Sequence, residues 1–289
     1  MNKVKITKKY EDIPGDIKYY VKKYIQANAE SLSGKIAVDF PAGKGVSSRL
    51  LMNVGAKVLS FDLFPEYFNE PGISCQKADI KNGIPLEDNV ADFLLCQEGF
   101  EHFSDQIEAL KEFNRILKSD ARLLLTTPNY SNIRSRMSYF LAESERFNST
   151  MPPNEFDSIW TLDNKNDHNI YYGHIFLIGI QKLRVLAKLS GFKINIIFPT
   201  RMKPTSTVLF PFVYPFILLA NCIAYYKNCK KAKKQGRIDK IATYKEQLKL
   251  ALNTKILLHR TLMVEFIKTM DVKDVKNNLI ATKVEEKII

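Results

Sequence analysis

Seven apolar runs of strand length recur along the chain: KIAVDF (35–40), KVLSFD (57–62), ISCQKAD (73–79), ADFLLCQ (91–97), ARLLLTTP (121–128), FKINIIF (192–198) and TLMVEFIK (261–268). Between several of them the apolar positions switch to helical spacing. VSSRLLMNV (46–54) runs into Gly55, a helix stop. DQIEALKEFNRILK (105–118) puts Ile107, Leu110, Phe113 and Leu117 on one face, with acids early and bases late. IQKLRVLAKL (180–189) stops at Ser190-Gly191 and feeds the next strand. Alternating strands and helices predict an α/β fold: a mostly parallel seven-stranded sheet covered by helices on both faces.

The alternation breaks after the sixth strand. Residues 205–226 contain no charged side chain, and 227–252 form a lysine-rich stretch with helical periodicity. A connection this long needs structure of its own. Residues 1–204 together with 258–289 are therefore expected to form one domain, and 205–257 an apolar and basic helical insertion before the last strand. The uncharged stretch is long enough to cross a bilayer. A single crossing, however, would leave TLMVEFIK on the opposite side of the membrane from FKINIIF, and Pro211 and Pro215 spoil a straight helix there. The expectation is an apolar lid or interfacial segment, resting on an anionic membrane surface, on a homodimer partner or over a pocket.

Charge sharpens this picture. The chain carries a formal +12, and from Lys227 to its end there are 16 Lys and Arg against 7 Asp and Glu. A basic end suits an anionic membrane or nucleic acid, and equally a solvated helical face. No basic stripe interleaved with aromatics is evident, so nucleic acid is not the expected partner. Cys75, Cys96, Cys222 and Cys229 form no CxxC pair, and the first residues lack the apolar stretch of an export signal. The expected location is the cytoplasm, with peripheral attachment to the inner face of the membrane.

Candidate chemistry gathers at the strand ends. In VDFPAGKG, Asp39 closes the first strand and Gly43 and Gly45 lie in the turn before a helix, where small residues and free N–H groups let a ligand approach. An acid just before such a turn suits a cationic amino-acid moiety better than a pyrophosphate, which favours a sulfonium ligand over a dinucleotide. Asp62 closes the second strand, where a carboxylate can accept from both hydroxyls of a ribose or can cap a turn. Asp79 closes the third, within reach of an adenine amine or as a turn residue. Ligands of open α/β sheets bind at these strand ends.

With these residues in order, the sequence resembles the class I S-adenosylmethionine-dependent methyltransferases, especially the bacterial group with a DxPAGxG loop. The likeness covers about residues 33 to 198. It implies a Rossmann-like fold with S-adenosylmethionine as cofactor. It also implies that Asp39, Ala42, Gly43 and Gly45 cradle the methionine part, Asp62 with Leu63 the ribose, and Asp79 with Ile80 the adenine. CQEGFEHF is similar to the family's E-x-x-E-H turn, which makes Gln97 a cofactor-wall residue. Pro41 stands where many relatives have the first glycine of their loop.

Methyl transfer requires a positioned nucleophile and, for a hydroxyl, a group to take its proton. His102 sits at the expected cofactor mouth and suits a general base. It suits equally a residue packed over the cofactor or capping the next helix. His174, in YYGHIFLIG, is a second candidate base, and Tyr130, Tyr171 and Tyr172 are candidates to line the same cavity. His168 and His259 receive no role. The four histidines show no HxxxH spacing, so no metal is expected. The expected activity is methylation of a small molecule at oxygen, with a sugar or lipid-linked glycan intermediate as acceptor. Alternatives are a nucleic-acid methyltransferase using the basic C-terminal region and a noncatalytic partner subunit that keeps the fold.

Overall fold

The computed structural model describes residues 9–144, 151–160 and 170–284; His168 lies outside them. The chain order is α1 (Ile17–Ala27), α2 (Ala29–Leu32), β1 (Ile36–Asp39), α3 (Val46–Asn53), β2 (Lys57–Asp62), β3 (Cys75–Lys77), β4 (Ala91–Gln97), α4 (Gln106–Ile116) and β5 (Leu117–Pro128). Then follow α5 (Ile133–Ala142), a small β6 (Ile159–Trp160) and β7 (Tyr171–Tyr172), α6 (Ile180–Leu189), β8 (Phe192–Ile197), α7 (Pro204–Lys234), α8 (Asp239–Ala251), α9 (Thr254–Leu258), β9 (Thr261–Lys268) and α10 (Val272–Val284). All seven expected strands are present.

They form one Rossmann-like sheet in the order β3-β2-β1-β4-β5-β9-β8, with β9 antiparallel to both neighbours and the remaining adjacent pairs parallel. Period-two alternation sorts the side chains into two cores. Along β4, Leu94 and Cys96 join the layer under α4 and α6, whereas Phe93 and Leu95 join the layer under α1 and α3. The second layer holds a helix not anticipated above: α1 buries Val21, Tyr24 and Ile25 against Leu50 and Leu51 of α3. Their i, i+3, i+4 spacing was a readable signal. α1 is started by Asp16, whose side chain accepts from Lys18 N at 2.9 Å.

Two charged groups on β9 are built into this frame. Glu265 accepts from Tyr24 Oη and Asn195 Nδ2, each at 2.5 Å. Lys268, 1% exposed, donates to Asn89 Oδ1 and to the carbonyls of Asn114 and Leu117 at the end of α4. Cations are favoured at such helix ends.

The segment between β8 and β9 begins with one long helix. α7 runs unbroken through Pro211 and Pro215. The two prolines stand four apart on one exposed side of the helix, so the carbonyls they leave unpaired, at Thr207 and Pro211, fall on the solvent side rather than in a packed interface. The excursion is rooted at one point of the sheet. Met202 bridges His259, Arg260 N donates to Arg201 O at 2.9 Å, and Lys203 N donates to Leu258 O at 2.7 Å. α8 then packs back on α6, where Gln181 Nε2 donates to Gln247 O at 2.8 Å and Arg184 pairs with Glu246 at 3.3 Å.

Candidate active site

A cleft of about 790 Å³ opens at the carboxyl ends of β1, β2 and β4, a size that suits a cofactor and a small partner molecule. Gly43, Asp62, Leu63, Asp79, Ile80, Gln97 and His102 line it, together with Tyr171 and Tyr172. Asp62 is nearly buried, and each of its oxygens takes one backbone N–H: Oδ2 from Gly43 at 2.7 Å and Oδ1 from Phe64 at 2.9 Å. The carboxylate thereby ties the glycine turn to the end of β2. Each oxygen keeps a second lone pair for a hydroxyl donor. Asp79 Oδ1 accepts from Lys81 N at 3.0 Å, the turn role considered for it, and the residue also lines the cleft. Gln97 Oε1 accepts from Ser47 Oγ at 2.6 Å, fixing its side chain at the head of α3.

Asp39, Ala42 and Gly45, expected to cradle the methionine part, are buried and are not among the residues that line the cleft. Asp39 is 1% exposed and its Oδ2 accepts from Ser48 Oγ at 2.5 Å, which in turn accepts from Ser60 Oγ at 2.9 Å. Its Oδ1 is buried with no hydrogen-bond partner among the described residues. Burial, and to a lesser degree the charge of Asp62, push the Asp39 carboxyl up to about 7 against the Ser48 bond. The ionised form is thus costly in the fold. The folded pKa exceeds the unfolded one, so stability present below about pH 4 is lost as pH rises through about 7. Asp39→Asn keeps an acceptor for Ser48 without the charge. Its melting temperature relative to the parent should rise between pH 5 and pH 8; an unchanged difference would remove the buried charge from the account.

The glycines have distinct reasons. Gly45 has φ +86°, and a Cβ there would lie 2.7 Å from Phe68 and Glu70. Arg49 holds that covering segment through Glu70 at 2.9 Å and is itself paired with Glu11 of the N-terminal turn at 2.7 Å. Gly43 has φ +52° and nothing near its Cβ position, as befits backbone facing open space. Gly99, in the turn after β4, lies so close to Pro41 that a Cβ would come within 2.3 Å of the ring. The Phe40-Pro41 peptide is cis.

His102 sits where the turn after β4 meets the loop after β7. Its Nδ1 lies 2.9 Å from Tyr172 O and 3.1 Å from Gly173 O, two acceptors that require Nδ1 to carry the proton. In the neutral ring the lone pair is then on Nε2. Burial, then the neighbouring His174, lower its pKa from 6.5. The His174 ring lies 5.1 Å from that of His102, centroid to centroid, but is exposed and is not part of the cleft wall. Tyr130 is also outside it and packs on Tyr139.

Two acids complete the turn. Glu98 has a left-handed backbone at φ +48°, lines the cleft, and is bonded to Thr126. Glu101 is fully buried; Oε2 accepts from Thr127 Oγ1 at 2.9 Å, and Oε1 has no partner among the described residues. Burial raises the pKa of both, and for Glu101 the charge of Glu98 adds to it. Glu101, His102 and His174 bring one ligand atom each within 4.8 Å of one another, a set that could hold a metal ion. Spacing along the chain did not show this cluster, because His174 arrives from a loop held by His102 itself and by Gln106, which donates to Phe176 O at 2.7 Å.

Residues 38–125 match a family model described as methyltransferase domain. The chain is 31% identical over 94 residues to an uncharacterised methyltransferase-like protein of Schizosaccharomyces pombe, covering 30% of this chain and 36% of that one. It is 27% identical over 119 residues to a ubiquinone biosynthesis O-methyltransferase of Actinobacillus pleuropneumoniae, covering 37% and 51%. The chain thus spans about half or less of the curated relatives it matches. Among solved structures, a SAM dependent methyltransferase of Archaeoglobus fulgidus is similar at 14% identity and a TM-score of 0.49, over 86% of this chain and 94% of that one.

Proposed function

The chain carries a class I S-adenosylmethionine-dependent methyltransferase domain, and we propose that it methylates an oxygen of a small-molecule acceptor, with His102 as the base. The observation that carries this reading is the orientation of His102: two carbonyls hold Nδ1–H, which leaves a basic nitrogen on a residue of the cleft wall. The cofactor supplies a methyl group on a sulfonium sulfur. Asp62 would hold its ribose, Asp79 and Ile80 its adenine, and Gly43 and Gln97 its methionine end. Bound there, the cofactor would supply its methyl group to the acceptor oxygen and keep the C–S electron pair on sulfur, while His102 Nε2 would take the hydroxyl proton. The names of the curated relatives, ubiquinone biosynthesis O-methyltransferases, support oxygen as the accepting atom. Within that class we favour a sugar or lipid-linked glycan intermediate.

His174 is assigned a supporting part. Its charge, when protonated, disfavours protonation of His102. A pH profile of kcat/KM with a panel of phenol and sugar acceptors tests both assignments. The base is competent when neutral, so activity should rise along an acid limb whose midpoint lies below 6.5 and be flat above it. His174→Ala should move that midpoint upward while leaving the plateau within about threefold. A limb that stays in place in His174→Ala and vanishes on adding a chelator would reassign His102 from base to metal ligand.

A further inference from the structure

We propose that the outer face of α7 docks flat on a membrane leaflet carrying anionic headgroups. The helix is apolar on two opposite sides. Leu209, Phe210, Val213, Tyr214 and Ile217 face the body half-buried, against the side on which α5, α8 and α9 pack. The opposite side carries Val208, Phe212, Phe216, Leu219, Ile223 and Tyr226, at spacings of four or three residues that keep them within an arc of about 80°. All six are exposed, Phe212 by 71% and Phe216 by 73%. A stripe of this kind on water is the mark of a surface that is covered in use.

Charge selects what covers it. The same line of the helix continues into Lys230 and Lys234, with Lys227 beside it. No acidic residue occurs between 201 and 238. The stripe is therefore apolar along most of its length and cationic at its C-terminal end. Two copies paired in parallel would set these lysines against one another, and an antiparallel pair would bring no acidic residue of this helix to them, whereas phospholipid offers acyl chains to the apolar length and phosphates to the lysines. Lysine stems reach from an apolar surface to such headgroups. A perpendicular crossing is excluded by the fold itself, because β8 and β9 are paired neighbours and α8 returns to α6.

The test is flotation of the full chain with vesicles, which needs no acceptor and is independent of the activity proposed above. With equal parts phosphatidylcholine and phosphatidylglycerol at low salt, the protein should float, and phosphatidylcholine alone should capture at least about tenfold less. Lys227→Glu with Lys230→Glu and Lys234→Glu should weaken capture by about a hundredfold or more. Phe212→Ser with Phe216→Ser should weaken it about tenfold or more while leaving cofactor binding intact, since both rings point away from the body. The proposal is overturned if the parent stays with the soluble fraction, or if either set of variants floats like the parent. It is also overturned if vesicles capture nothing while sedimentation shows a dimer that the phenylalanine variants dissolve; a second copy is then the cover. Salt-steep binding of RNA without any flotation overturns it in favour of nucleic acid.

Discussion

His102→Ala is expected to lower kcat for methyl transfer by about 10²–10⁴-fold while leaving cofactor affinity within a few-fold, because only the proton transfer is lost. The alanine also deletes the contacts of Nδ1 with Tyr172 O and Gly173 O, so part of the loss could come from a displaced loop. His102→Asn separates the two. Its amide can donate to those carbonyls but cannot act as a base near neutral pH. Both variants should therefore lose turnover, and the asparagine should keep the parent's KM for the acceptor. Initial rates over a range of acceptor concentrations, with calorimetry for the cofactor, measure both quantities. Full turnover in either variant ends the assignment of His102 as the base.

The second large effect concerns binding. Asp62→Ala should weaken S-adenosylmethionine by on the order of 2 kcal/mol, about 30-fold, the usual size for charge-assisted hydrogen bonds lost from a nearly buried site. Some of this would come from the cleft wall itself, since the same change frees the N–H groups of Gly43 and Phe64. Asp62→Asn preserves one acceptor oxygen and should fall between parent and alanine. A thermal melt without cofactor reports the wall, and the additional shift on adding cofactor reports the ribose contact. If the cofactor-induced shift is the same in all three proteins, Asp62 is a turn residue and nothing more.

Much of the scaffold could be read from residue order, and the reasons differ by element. The strands were legible because buried parallel strands are near-continuous apolar runs, as in ADFLLCQ, and because Gly55 and Ser190-Gly191 end the helices before them. α6 begins and ends at the residues the periodicity indicated. Asp62, Leu63, Asp79, Ile80, Gln97 and His102 reached the cleft because a strand end fixes position along the sheet. Depth is another matter. Asp39 also ends a strand, yet its side chain turns under the loop to Ser48, and neither periodicity nor spacing encodes that choice. The meeting of His174 with Glu101 and His102 was equally invisible, since it depends on a loop whose place is set by contacts far apart in the chain. The continuity of α7 was not legible for a third reason. Proline costs a helix most where the freed carbonyl is packed against protein, and here both prolines stand on the solvent side.

The contact between Gly99 and Pro41 ties two distant motif positions into one unit of inheritance. A side chain at 99 would enter the space of the pyrrolidine ring, which has little freedom to move away. Alanine at 99 is admissible only once 41 has become small, and proline at 41 can arise only while 99 is glycine. Homologous chains should therefore change these positions together, in that order, and Gly99→Ala should be rescued by Pro41→Gly.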